Sequence, residues 1–521
     1  MKQDRLSLIS FFIYSLVFVF IVWIGKPAYY SKEDAFILYL LGGGFGSPTS
    51  VLLHYNHIMS PLINVVLKTF FDVFEGVNWY TFALFLMHYI AGAAILSVLL
   101  ERTRRREVMW VFFAIQVIFQ GWLMVHIGFT SVAIILTIAG IALLVGGRNR
   151  VYAFIFLVAA SLFRLHVMIP LFGIALPYLF FKDKIFNRGN LAFLFLLIVS
   201  IFAMGLVQKW WYSSNIPGWS DEESYRQLIY GLYNKSGTTS FRRGDFQNEL
   251  DLVRMGLPAD SAYISRVKLL ELNRAIEQEV QNRRKGWSEW FWINNRLYFV
   301  TALMLVLLFC LKNGNRLLVV MISALLMVFG CWLLAVHAKL PEYLPVACLF
   351  VFTLLTIIHL ELRIDFWFVN YVIIIATSIL MLWGAVRLYK LGIRNNIRAE
   401  EFCRNYSIYK KYPEHLFINT MGTFRLESVP VWSDPREYPL PNYLDSDHFL
   451  MNLHWRILQR FGLNSFSDVP GSDKVLFWGR PKEALSEYFS KVNGGKKTGP
   501  LNSKDSTINI FSIHFVNKAE H

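Results

Sequence analysis

The chain has 521 residues, of which 55% are hydrophobic, 16% aromatic and only 17% charged, with a mean hydropathy of +0.42. That is far too apolar for a soluble domain of ordinary composition. The net charge of +15 sits largely in short loops between apolar runs, where it marks topology and argues against a nucleic-acid partner.

The N-terminus carries Lys2 and Arg5 ahead of an apolar run of roughly 18 residues with no small-x-small cleavage site, which reads as an uncleaved signal anchor spanning 7–25. The next clear span, 80–100, ends at Glu101-Arg102-Thr103-Arg104-Arg105-Arg106, the strongest positive-inside marker in the chain. With both clusters inside, 26–79 forms an external loop 1. Within it, the apolar stripe of 61–74 (Leu62, Val65, Val66, Phe70, Val73, Phe74) predicts a helix. At about 21 Å it is too short for a ~30 Å hydrocarbon core and should lie in the interface as a juxtamembrane helix.

Residues 108–146 read as a hairpin of two spans turned near Gly128. Residues 151–181 read as a tighter hairpin broken at Arg164-Leu165-His166, and 191–207 as a further span. A long external stretch, 208–290, should hold helices near 221–234 and 259–285. Spans at 291–311, 317–336, 344–361 and 366–387 complete about 11, N-terminus inside and C-terminus outside. No internal repeat of the transporter kind is present.

From 390 the composition turns soluble. LFINTM (416–421), KVLFWG (474–479) and TINIFSIHFV (507–516) alternate with helical patterns at 449–462 and 483–492, and the Pro-, Trp- and Tyr-rich stretch 428–445 reads as a loop. The fold expected is a polytopic α-helical membrane module, 1–389, carrying a small extracytoplasmic α/β domain, 390–521.

Several polar residues could carry chemistry. Glu33 and Asp34, just past the first span, could take a proton from an acceptor, or could be a solvated pair or the acidic first turn of a helix. His54 and His57 lie three apart on one helical face, either as partial metal ligands or as interfacial histidines. Arg164 and His166 interrupt apolar sequence, which suits a phosphate or simple snorkelling. His337, Lys339, Glu342 and Tyr343 lie in a short outer loop where a lysine could meet a lipid phosphate. Arg296 starts the inward span after the long loop. Cys310, Cys331 and Cys348 lie in apolar spans and Cys403 in a polar region, with no disulfide framework or zinc spacing. No ligand spacing assigns a metal, although the acid-rich outer face leaves a divalent cation open.

This layout, with Glu33-Asp34, the Gly42–Gly46 turn, Ser47-Pro48 and the Val77–Tyr80 entry to the next span, resembles the GT-C superfamily of membrane glycosyltransferases, in particular bacterial multi-spanning GT-C-like proteins. The motif-level match covers about 50 residues of loop 1, and the C-terminal string from Pro413 to Arg480 is similar to their outer domain. The resemblance implies transfer of a sugar from a polyprenyl-phosphate donor to a glycan, lipid or protein acceptor outside the bacterial inner membrane. It implies a loop-1 carboxylate as base. Asp34 matches the position, but relatives show Asp-Asp or Asp-Glu where this chain has Glu33-Asp34, so either carboxylate is a candidate. By analogy of location, Arg164, Lys339 and His166 would hold the donor phosphate. His54, His57, Glu342 and Tyr343 would contact acceptor or donor. Two other readings are a polysaccharide polymerase or ligase using a lipid-diphosphate oligosaccharide, and a lipid-linked glycan transporter.

Overall fold

The structure, a computed structural model, describes residues 2–515 except 54–57, 103–105, 148, 183–187, 237–264, 283–316, 338–340, 342, 361–366, 421–423, 446–450, 480–481, 495, 497 and 503–509. The expected span 291–311 with Arg296, and much of the 208–290 stretch, lie outside the described residues.

Helix α1 (Lys2–Gly25) leads through a two-residue strand β1 (Ala28–Tyr29) to α2 (Lys32–Gly42), α3 (Pro61–Val73) and α4 (Trp79–Arg102). Next come α5 (Arg106–Ile115), a π-helical turn (Gln116–Gln120), α6 (Gly121–Val125), strand β2 (His126–Ile127) and α7 (Phe129–Val145). The π turn is a local feature that no hydrophobic pattern announces. Helix α3 starts as its sequence dictates: Ser60 caps it by accepting from the Leu62 N–H at 3.4 Å, and Pro61 occupies the first helical position. It buries Leu67 and Phe71 while Leu62, Val66, Phe70 and Val73 stay exposed.

Helix α8 (Arg150–Lys182) is interrupted by one extended residue, Arg164 (φ −163°, ψ 93°). The run turns back on itself there. Phe154 packs edge-on to Phe193 with ring centroids 6.2 Å apart. Leu179, which a straight helix would put about 37 Å from Phe154, lines a small cavity with the same Phe193. The hairpin expected at this point is therefore present, with the break at Arg164. Helices α9 (Arg188–Asn215), α10 (Trp219–Ser236) and α11 (Arg266–Asn282) follow, then α12 (Leu317–His337), α13 (Tyr343–Leu360) and α14 (Trp367–Tyr409). The Cys331 and Cys348 thiols meet between α12 and α13.

Helix α14 runs 43 residues, about 64 Å at helical rise, straight through the boundary expected near 390. Nothing in LGIRNNIRAEEF stops it, because Gly392 serves packing: a Cβ there would come 2.4 Å from the Ile24 carbonyl oxygen at the end of α1. Among the described residues, four helical runs are long and apolar enough, by length and composition, to cross a membrane (Trp79–Glu101, Gly189–Asn215, Tyr371–Tyr409 and the run Arg150–Phe180, which the break at Arg164 divides in two), and five shorter helices are apolar. This is the make-up of a helical membrane protein.

The C-terminal region forms a five-stranded sheet of order β4-β3-β5-β7-β6. Strands β3 (Leu416–Asn419), β4 (Tyr443–Asp445) and β5 (Val475–Trp478) are parallel, whereas β7 (Ile510–Phe515) pairs antiparallel with β5 on one side and with β6 (Thr498–Asn502) on the other. Helices α15 (Met451–Arg460) and α16 (Lys482–Val492) complete an α/β domain. Strand β4 forms inside the stretch that reads as a loop, since only three residues, YLD, pair with β3.

Loop ends converge on one pole of the bundle. Phe45 stacks on Tyr443 of the sheet, Phe85 of α4 stacks on Trp432 at 4.6 Å, and Leu52 packs with Tyr212, Ile216 and Trp219 at the end of α9.

Candidate functional site

The site begins with a splice. Ala28 and Tyr29 pair in parallel with His126 and Ile127, and the Tyr30 N–H donates to Ile127 O at 2.9 Å. This pins the exit of α1 against the turn between α6 and α7. Three residues later α2 starts, with Glu33 and Asp34 in its first turn, where acidic side chains complement the helix dipole.

Asp34 turns inward and is 1% exposed. Its Oδ1 accepts from the Tyr80 hydroxyl at 2.8 Å and from the Phe129 N–H at 2.9 Å, and its Oδ2 from the Ser31 hydroxyl at 3.1 Å. Phe129 is the first residue of α7, so Asp34 satisfies one of that helix's free amides from another segment. Gly128 makes the approach feasible, since a Cβ there would lie 2.5 Å from Oδ2 and 2.6 Å from Oδ1. Burial pushes the Asp34 carboxyl up to about 7, and the charge of Glu33 adds to the rise against the pull of Phe129, Tyr80 and Ser31.

Glu33 is half-buried and belongs to a second cluster. Arg164, at the break in α8, donates from Nη1 to Thr130 Oγ1 at 2.5 Å. Its guanidinium carbon lies 5.2 Å from the centre of the Phe129 ring and 5.8 Å from that of Tyr343, cation–π distances. Tyr343, Glu33 and Asp34 all lie within electrostatic reach of it. The Arg164 Nε–H is buried with no partner among the described residues. Tyr30 closes one side, 5.7 Å from Tyr343, 6.0 Å from His126 and 6.3 Å from Trp122, all edge-on.

The structure thus brings Glu33, Asp34, Arg164 and Tyr343 together. His166, two residues from Arg164, instead lines a separate cleft with Ser60, Ser161 and Gln208. His54, His57, Lys339 and Glu342 lie outside the described residues. Among the described residues no three His, Cys, Asp or Glu side chains gather as a metal site.

Sequence reasoning missed Ser31, Tyr80 and Phe129, whose roles arise only from tertiary contact. It also missed what the glycine turn is for. A Cβ on Gly42 would meet Pro435 at 2.4 Å, and one on Gly46 would meet Pro441 at 2.8 Å. The Leu440 N–H donates to Gly44 O at 2.8 Å. The turn is a seat for the C-terminal domain. Lys32 adds an ion pair at 3.2 Å to Asp445, a buried carboxylate that also accepts from the Tyr443 hydroxyl at 2.9 Å and the Asn419 amide at 3.0 Å. The carboxyl ends of β3 and β4 therefore abut the start of α2.

No protein-family model, curated protein or solved structure matches this chain.

Proposed function

We propose that the protein is a membrane glycosyltransferase that moves a sugar from a polyprenyl-phosphate donor to an acceptor hydroxyl at the pole where loop 1 and the C-terminal domain meet, taken as the extracytoplasmic side. The observation that carries this reading is Arg164, fixed by Thr130 and two aromatic rings, with a buried unpaired Nε–H and Glu33 in electrostatic reach. A guanidinium so held suits a phosphate leaving group, whose charge grows as the glycosidic bond breaks. Glu33 is the carboxylate with access, whereas Asp34 is enclosed. In the reaction, the acceptor oxygen attacks the anomeric carbon, its proton passes to Glu33, and the lipid phosphate departs toward Arg164.

The test is transfer of a labelled sugar from a polyprenyl-phosphate donor in membranes. Glu33→Gln should lower kcat by roughly 10²–10⁴-fold, the range for losing a general base, with the fold retained. Asp34→Asn should act first on stability. Wild-type activity in Glu33→Gln would remove Glu33 as the base, and no turnover of any such donor by the wild-type protein would sink the reading itself.

A further inference from the structure

The cleft that holds His166 lies on the other side of the α8 break from the Arg164–Glu33 cluster. Its volume is about 160 Å³, room for about five waters at liquid density. One wall is a single face of α9, Ile201, Met204, Gly205 and Gln208, at helical spacing. The opposite wall is Ser161, Leu162, Leu165 and His166, and the floor is Ile58 and Ser60. The floor is tied to the wall by the Ser60 N–H, which donates to Leu162 O at 2.8 Å.

Two observations say what fills it. Helix α9 is the least buried of the long apolar helices; Phe195, Phe202 and Leu206 are more than half exposed, so in a bilayer the cleft opens among lipid chains. The polar groups sit at the pole end of that face, where His166 lies two residues from the always-charged Arg164 guanidinium at the helix break and no described residue hydrogen-bonds the imidazole. An apolar wall topped by a donor in positive potential fits an anionic phosphate headgroup with its chain running down the helix.

We infer that this cleft is a resident phospholipid site, which seats the phosphate of an anionic bilayer lipid at His166 with one acyl chain along Ile201, Met204 and Gly205. The site is separate from the proposed reaction and does not depend on it.

Gly205 supplies the test, because a Cβ there meets nothing within 4 Å and a larger side chain fills the cleft without displacing the fold. The full-length protein would be placed in nanodiscs with a photoreactive phosphatidylglycerol, and separately with photoreactive phosphatidylcholine and a photoreactive polyprenyl phosphate. Phosphatidylglycerol should label α8 and α9 at least fivefold more than phosphatidylcholine. Gly205→Phe and His166→Ala should each cut that labelling at least fivefold with the melting temperature kept. Equal labelling by the two phospholipids, or labelling unchanged in Gly205→Phe, overturns the proposal. Labelling by polyprenyl phosphate in place of phosphatidylglycerol also overturns it and gives the cleft to the donor.

Discussion

Two regions sit a few residues apart at the same pole and are built on opposite rules. At the α2–α7 junction, the Asp34 carboxylate is enclosed, with three donors supplied by Ser31, Tyr80 and Phe129 and a glycine against its face. At the α8 break, Arg164 keeps an unpaired Nε–H and shares a half-buried neighbourhood with Glu33. Neighbouring acids in the sequence thus do different work. The junction fixes where α7 begins, and α7 presents Phe129 and Thr130 to Arg164, so the closed region sets the geometry of the open one.

The largest expected effect separates the two by pH. Asp34 is raised from 3.8 to about 7 when buried, so the folded state holds its proton over a range in which the unfolded chain has lost it. Stability from this group is full below about pH 4 and is lost as pH climbs to about 7, by at most about 4 kcal/mol for three units at 1.36 kcal/mol each. Melting in detergent across that window should show the decline, and Asp34→Asn should flatten it. Glu33→Gln should leave most of it, trimming only the part its charge adds. A Glu33 variant that flattened the curve as fully would erase the distinction between the two acids.

Next in size is Gly128→Ala. The new methyl would push a carboxylate that three hydrogen bonds hold, an overpacking cost of about 1–3 kcal/mol. In an Asp34→Ala background the penalty should shrink, because the carboxylate it meets is gone. An unchanged penalty in that double mutant would mean that Gly128 answers to its backbone rather than to Asp34.

How much of this was legible follows from the kind of signal involved. Helices α1, α3, α4, α9, α12 and α13 were readable because apolar runs and basic clusters report burial and length locally, and the break at Arg164 was readable because a charge there is costly. The extension of α14 to Tyr409 was not, since a change from apolar to polar composition does not stop a helix that keeps good helix formers. Hydropathy also could not tell α7 from α9: both are apolar, yet α7 is almost wholly buried and α9 largely exposed. For the site, the Glu33-Asp34 pair and Arg164 were visible as residue types in unusual places. Which acid faces inward depends on Gly128, Phe129 and Tyr80, contacts between segments some 50 and 95 residues apart, beyond any local pattern.

The smallest effect concerns the seat of the C-terminal domain. Lys32 lies beside Glu33 and is about a third exposed, while its partner Asp445 is 3% exposed and keeps donors from Tyr443 and Asn419. A buried carboxylate that keeps these hydrogen bonds tolerates the loss of a partly solvated ammonium, so Lys32→Ala should cost only about 1 kcal/mol. Its sharper readout is mechanical. Limited proteolysis after Tyr409 should quicken in Lys32→Ala and in Asp445→Asn alike, and the double variant should be no faster than either. If the two rates multiply instead, the pair is not a unit, and the C-terminal domain is held to α2 by contacts such as the Gly42–Gly46 seat and the Tyr39 hydroxyl, which donates to Tyr438 O at 2.9 Å.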